Sequence, residues 1–363
     1  MRIYVYAICK NEEKFVKRWY ESMSEADGVF VLDTGSSDET ASKLKTLGAT
    51  VAVKTIKPWR FDEARNESMK LLPDDCDLAV CTDLDEVFDK GWRKNLEKVW
   101  RKGVKTVTYK YVWSSDCKGN EQVVLRYDKI HSPKDFIWKY PVHEVLVYTK
   151  PQDYKAVFCE NIVLRHFPDE KKSRSSYLGL LKSAISYYPR DARNYYYLAR
   201  EYFFLKDYFS AEKTFKKYLS FTDNSYSSEK ASAYAFLSDC ALFSGDKISA
   251  EKYLLSAIST DPSIREGYIG LCRLYYETKD YAALLFAASR GAKLDDNVGF
   301  ATDFSINKGV FYDYASIALY HLESYGAAIE NARLALKYFP ENDRIRKNVD
   351  LFMDRNEKNR PVF

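Results

Sequence analysis

The sequence predicts an α/β domain built on a mostly parallel sheet, followed by a separate all-α domain of helical repeats. Three observations carry this prediction. Strand and helix patterns alternate through the first hundred residues. An apolar run at Leu78–Cys81 ends abruptly in Asp83, Asp85 and Glu86. After Pro168 the pattern is purely helical and repeats internally. The expected division is residues 1–168 against residues 169–363.

Taken in order, Ile3–Cys9 is an apolar run of strand length, as a strand covered on both faces requires. Glu12–Ser24 has amphipathic helical spacing. Gly28–Leu32 reads as a second strand that runs into Asp33-Thr34-Gly35-Ser36-Ser37-Asp38. Thr40–Leu47 is a helix closed by Gly48, and Thr50–Val53 a third strand. Arg65–Leu72 is helical, Leu78–Thr82 is the fourth strand, and Trp92–Arg101 a further helix. From Lys105 to about His166, short strands rich in Val, Tyr and Trp predict an antiparallel extension of the sheet.

The helical half fits a tetratricopeptide template. One copy runs through Tyr195, Leu198, Ala199, Tyr202, Ala211 and Phe215. A second uses Tyr234, Leu237, Ser238, Ala250, Leu254, Ala257 and Pro262. A degenerate third passes through Tyr268, Leu271, Cys272 and Tyr275, and a fourth through Tyr312, Ala328, Ala332, Ala335 and Pro340. Small residues let paired helices approach, aromatics fill the groove between pairs, and Pro stops the second helix.

Composition narrows the class. The chain has 363 residues, 46% of them hydrophobic, enough for two or three domains with their own cores. Its 56 Lys and Arg nearly balance 52 Asp and Glu, so charge alone demands neither nucleic acid nor a membrane. Seven Cys, an odd number without a C-x-x-C pair, predict a reducing compartment. The apolar start is too short for a signal peptide, and no run approaches the ~20 apolar residues of a membrane helix. A cytoplasmic protein is expected.

The chemistry sits at the predicted strand ends, where open α/β sheets bind their ligands. Asp83 and Asp85, one residue apart, suit a hard divalent cation that in turn holds a diphosphate. Asp33 opens a hydroxyl-rich turn that can accept from a nucleobase or ribose. In Trp59-Arg60-Phe61-Asp62-Glu63-Ala64-Arg65-Asn66, Arg65 offers a planar fork to a diphosphate, fixed by Asp62 and Asn66.

Four segments in this order resemble the nucleotide-sugar transferases of glycosyltransferase family 2, which have the GT-A fold. They are Ala7-Ile8-Cys9-Lys10-Asn11-Glu12, Val31 to Thr40, Phe61 to Asn66, and Thr82-Asp83-Leu84-Asp85-Glu86. The resemblance covers roughly residues 1–170. Lipooligosaccharide core glucosyltransferases and bacteriocin peptide S-glycosyltransferases look similar, and the latter also carry a helical repeat domain.

The resemblance implies roles. Asp33 contacts the uracil or ribose beside the Asn11-Glu12 turn, and Arg65 approaches the diphosphate. Asp83 and Asp85 serve Mn²⁺ or Mg²⁺ and the donor sugar, with His166 as a further metal ligand. The segment Val142-His143-Glu144 borders the reaction centre. Either Glu144, or His143 oriented by Glu144, takes the acceptor proton; Asp85-Glu86 is the competing source of the base. Arg126 binds acceptor or phosphate, or is structural, while His131 and His321 are incidental.

Position 34 is Thr where many members have a second Asp. No Gln-x-x-Arg-Trp motif of processive synthases occurs. The resemblance implies metal-dependent, inverting transfer from a nucleotide donor, UDP-linked by expectation, and the missing motif limits it to one hexose. The acceptor is a peptide or protein, a glycan or a modified nucleobase. The repeats would present that acceptor or form a homo-oligomer. The alternatives are a catalytically inactive scaffold and a nucleotidyltransferase. The second would need a Gly-rich phosphate loop after strand one, where Cys9-Lys10-Asn11-Glu12 stands.

Overall fold

The computed structural model describes residues 1–169, 177–222, 226–294, 301–303 and 306–359. It divides into two compact units, residues 1–187 with 298–304, and residues 188–297 with 305–363.

The first unit begins with β1 (Ile3–Cys9), buried at every position, then α1 (Val16–Met23) and β2 (Gly28–Asp33). Helix α1 starts later than its periodicity suggests. Asn11 takes a left-handed φ of 55°, and a turn closed by Phe15 N–H to the Glu12 carbonyl precedes the helix. Next come α2 (Thr40–Leu47) and β3 (Thr50–Val53). Gly48 ends α2 at φ 106°, and the Ala49 N–H reaches back to the Leu44 carbonyl at 3.0 Å.

Helix α3 (Phe61–Met69) begins four residues before the expected Arg65, because Asp62 and Glu63 supply favourable first-turn acids. It is followed by β4 (Leu78–Cys81), β5 (Glu86–Phe88) and α4 (Trp92–Val99). Then come β6 (Val104–Ser115), β7 (Glu121–His131), β8 (Phe136–Lys139), β9 (Val145–Tyr148), β10 (Lys155–His166) and α5 (Tyr177–Tyr187).

The main sheet runs β3-β2-β1-β4-β7-β6-β10-β5. Strands β3, β2, β1 and β4 are parallel, and β7 joins β4 antiparallel through Ala79↔His131 and Val80↔Ile130. The expected antiparallel extension is in fact mixed. Strand β6 is antiparallel to β7 but parallel to β10, and all three strands are longer than expected. The β8–β9 hairpin lies between β7 and β10 in the chain and forms a small sheet of its own. That detour lets β10 run in the direction of β6. This order and direction of strands is GT-A-like.

Trp19 and Trp92 are fully buried in the core between the sheet and its helices. The Trp19 indole N–H reaches the Thr82 hydroxyl at 3.0 Å, and Trp92 stacks on Phe88 at 5.0 Å, so each large side chain has a defined partner. His131 is equally buried. Its Nε2 lies 2.8 Å from the Tyr6 hydroxyl, which also accepts from the Trp138 indole at 2.7 Å. Burial pushes the His131 imidazole down to about 4, against a lesser upward pull from the Ser132 carbonyl.

The second unit is a succession of helical hairpins. They are α6 (Ala192–Phe204) with α7 (Tyr208–Leu219), α8 (Ser227–Phe243) with α9 (Lys247–Thr260), and α10 (Arg265–Thr278) with α11 (Tyr281–Gly291). After the short strand β11 (Ala301–Asp303), which pairs with β7 in the first unit's sheet, come α12 (Lys308–His321) and α13 (Tyr325–Tyr338). Helix α14 (Asp343–Lys358) follows.

The template positions Ala199, Ala211, Phe215, Ala250, Ala257, Cys272, Ala328, Ala332 and Ala335 are fully buried. Each hairpin turn has a left-handed residue followed by a helix cap: Lys206-Asp207, Gly245-Asp246, Lys279-Asp280 and Glu323-Ser324. In the first three, the Asp carboxylate accepts a backbone N–H of the next helix. The repeat is thus written in its turns as well as its core.

Two stability outcomes follow from this packing. A Cβ on Gly291 would lie 2.3 Å from the buried Phe311 ring, so Gly291→Val should lower the urea midpoint through an overpacking cost of about 1–3 kcal/mol. Gly179, inside α5 with nothing near its Cβ position, should instead raise it when changed to Ala, by about 0.5–1 kcal/mol. His131 gives a pH dependence. The unfolded imidazole, ordinarily near 6.5, takes a proton before the folded one does. Stability is complete above that pH and falls as pH descends toward about 4. Subtracting the His131→Gln profile from the wild-type profile should expose a loss of up to about 3 kcal/mol across that window.

Candidate active site

The carboxyl ends of β1, β2 and β4, the start of α3, the β8–β9 connection and the end of β10 supply the expected residues. At its centre is a charge cluster. The Arg65 guanidinium donates from Nε to Glu144 Oε1 at 2.5 Å, from Nη2 to Asp83 Oδ1 at 2.8 Å, and from Nη1 to Cys81 Sγ at 3.2 Å. Its ring-facing side lies 5.1 Å from the centre of Trp138. Lys129, on β7, donates to Asp83 Oδ2 at 3.0 Å and lies 3.8 Å from Glu86. Glu86 closes the turn after β4 by accepting the Asp83 backbone N–H at 2.8 Å.

Both cations are almost wholly buried, at 4% exposure for the Arg65 side chain and 6% for Lys129. Burial opposes ionisation of Asp83. The adjacent Arg65 and Lys129 outweigh it and hold that carboxyl well below the usual carboxylate range. Burial pushes Glu86 the other way, upward, and repulsion from Asp83 adds to it against the pull of Lys129.

Asp85 points elsewhere. Its Oδ2 lies 3.4 Å from His166 Nε2, while its backbone carbonyl accepts the Phe167 N–H at 2.8 Å. The other ring nitrogen of His166 is 3.2 Å from the Trp113 carbonyl oxygen, and the imidazole stacks on the Trp113 indole at 4.5 Å. Burial would lower the His166 pKa, but the hydrogen bond and charge of Asp85 raise it overall.

A carboxylate oxygen and an imidazole nitrogen are donors of the kind Mn²⁺ takes. Asp83 does not join them. Both its oxygens are engaged by cations, and among the described residues no group of three His, Cys, Asp or Glu is arranged to hold a metal. Of the expected Asp83, Asp85 and His166, the structure brings Asp85 and His166 together and places Asp83 on Arg65 and Lys129.

The nucleoside side is an interlocked turn. Asp33 is buried, and its Oδ1 accepts the Gly35 and Ser36 N–H groups at 2.8 and 2.7 Å. Asn11 Oδ1 accepts the Ser37 N–H at 2.7 Å, and the Asn11 N–H reaches the Ser36 hydroxyl at 2.9 Å. The Glu12 N–H donates to the Thr40 hydroxyl at 2.8 Å. Asp33 thus shapes the turn from inside, and Asn11 lies on its exposed rim.

Other expected contacts have different tasks. Arg65, expected to face a diphosphate, instead joins β4 to the β8–β9 connection from a buried position. Asn66, expected to brace it, uses both amide ends on the Trp138 backbone, each at 2.9 Å, and so straps β8 to α3. Asp62 is paired with Arg60 at 2.7 Å. His143 and Glu144 lie side by side after β8, with His143 at a left-handed φ of 53° and its ring 5.9 Å from Tyr177. Arg126 is exposed on the face of β7 opposite Lys129, and its guanidinium lies over Phe158 at 4.4 Å.

Sequence reading missed Lys129, Glu86 as a buried partner, and Trp113. A buried lysine requires a counter-charge, but a register shift between Tyr127 and Ile130 interrupts the alternation of β7, so no local pattern marked Lys129 as buried. A fourth omission is Arg18 of α1, whose guanidinium stacks 4.2 Å over Phe167 and feels the charge of Asp85.

Residues 4–164 match the family model described as glycosyl transferase family 2. No curated protein matches the chain. Similar solved structures include YrrB, a TPR protein with an unusual peptide-binding site, at 14% identity, covering 48% of this chain and 81% of that one, TM-score 0.37. MamA is 17% identical, covering 51% and 89%, TM-score 0.34. A thermophilic TPR protein in Thermus thermophilus, TTC0263, is 17% identical, covering 49% and 90%, TM-score 0.32. Residues 4–164, less than half of the chain, thus match glycosyl transferase family 2, and helical hairpins follow them.

Proposed function

We propose that this protein transfers a single hexose, with inversion, from a UDP-linked donor to an acceptor in the cytoplasm. The observation that carries the reading is the Asp85–His166 pair, held at 3.4 Å beside a buried cluster that contains Glu144. The donor nucleoside would lie on the turn formed by Asn11 and residues 34–37, with Asp33 and Glu12 beneath it. Asp85 and His166 would hold Mn²⁺ or Mg²⁺ against the donor diphosphate. When bound, that ion supplies positive charge where the leaving group develops negative charge.

The displacement is a single step. The acceptor atom bonds to the anomeric carbon, the bond from that carbon to the diphosphate oxygen breaks, and the acceptor proton passes to a base. Glu144 is the first candidate, oriented by Arg65 at 2.5 Å. His143, next to it, is the second, and Glu86 is too deeply buried to compete well. A peptide, a protein, a glycan or a modified nucleobase would serve as acceptor, with the helical hairpins available to present it or to bring two copies together. No helix among the described residues is long and apolar enough to cross a membrane.

A donor panel tests the reading. Purified protein with Mn²⁺ and each common UDP- or GDP-sugar should release nucleoside diphosphate with one donor, and Asp85→Ala should cut that release by about a hundredfold or more. Transfer to acceptor should fall by about 10²–10⁴-fold in Glu144→Gln if it is the base, and in His143→Gln if that residue is. Silence with every donor, with or without metal, would return the chain to the scaffold alternative.

A further inference from the structure

Four hairpin turns of the helical unit share one plan, a left-handed residue and then a helix cap, yet their outer side chains differ. Three residues before the cap stand Phe204, Phe243, Glu277 and His321, and two residues after it stand Phe209, Ile248, Ala282 and Gly326. The hairpin therefore folds without a large apolar side chain at either position, and the first two turns carry one at both. Phe209 is 79% exposed and Ile248 70%, while Phe204, Leu205 and Phe243 are each at least half exposed. Side chains so exposed add little to the core.

The two turns form one patch. Tyr208, at the start of α7, stacks on Phe243, at the end of α8, at 4.0 Å with the rings 10° from parallel. Each turn also has one lysine and one aspartate, Lys206-Asp207 and Asp246-Lys247. Both carboxylates serve their own helices: Asp207 accepts the Ser210 N–H at 3.1 Å and Asp246 the Ser249 N–H at 2.9 Å, where each offsets the positive helix end. Lys206 and Lys247 are exposed and form no ion pair among the described residues. The charge left to a partner is positive.

We propose that these two turns dock on an anionic lipid bilayer, with Phe209 and Ile248 among the acyl chains and Lys206 and Lys247 at the headgroup phosphates. Apolar tips flanked by ammonium groups on long stems suit that boundary, where one end of the contact is apolar and the other wet. A stable protein partner takes about 20–30 residues from each side, far more than two projecting turns supply. The inference goes beyond the transfer reaction and does not depend on it.

The test is flotation of the full chain with phosphatidylcholine vesicles, alone and with phosphatidylglycerol added, beside light scattering without lipid. Wild type should float with the mixed vesicles and less with the neutral ones. Phe209→Ser combined with Ile248→Ser should lower the partition coefficient about tenfold or more. Lys206→Gln combined with Lys247→Gln should lower it about fivefold or more on the mixed vesicles. Phe286→Ser, at a 70% exposed position on α11, should bind as wild type does. No flotation of wild type, or undiminished flotation of the Phe209→Ser, Ile248→Ser variant, would overturn the proposal. So would an equal loss in Phe286→Ser, which would mark general stickiness. A wild-type dimer in solution that the Phe209→Ser, Ile248→Ser variant loses would overturn it too, since the patch would then serve a second copy.

Discussion

Two cations buried among three carboxylates at the end of β4 are the constraint on which the transferase unit depends. Arg65 comes from α3, Lys129 from β7, Asp83 from the turn after β4, Glu86 from the start of β5, and Glu144 from the β8–β9 connection. None of these charges is tolerable alone in a buried site, where an unpaired ion costs several kcal/mol. Satisfying them together requires every one of these elements to be in register.

The cluster also explains how two acids one residue apart come to do different things. Asp83 is held by two cations, Arg65 and Lys129, whereas Asp85 faces His166. Asp83 thus braces the charge cluster, while Asp85 and His166 brace each other. Asn66 strengthens the arrangement by strapping Trp138 to α3, which places Glu144 within reach of Arg65. The Asp33 turn has the same logic, with a buried carboxylate fixing backbone whose outer rim is left for a ligand.

The local parts of this were legible in the sequence. The apolar run of β1, the Gly48 stop of α2 and the small residues of the hairpins all depend on near neighbours in the chain, and periodicity reports them. The acids at the strand ends were legible for the same reason. What could not be read depended on distant pairing. Lys129 meets Asp83 across 46 residues, and His166 meets Trp113 across 53. The parallel pairing of β10 with β6 likewise follows from where the intervening hairpin sends the chain, which no local pattern records. Arg65 is a related case: its contacts to Glu144, Asp83 and Cys81 reach residues 16 to 79 positions away in the chain.

A double-mutant cycle on stability tests the central constraint most directly. Asp83→Asn, Lys129→Met and the pair would be unfolded in urea under identical conditions. If the cluster holds these elements together, the double variant should lose less than the sum of the singles, with a coupling of about 1–3 kcal/mol. Costs that simply add, to within about 0.5 kcal/mol, would mean that the two side chains act independently, and that something other than this cluster sets the geometry of the site.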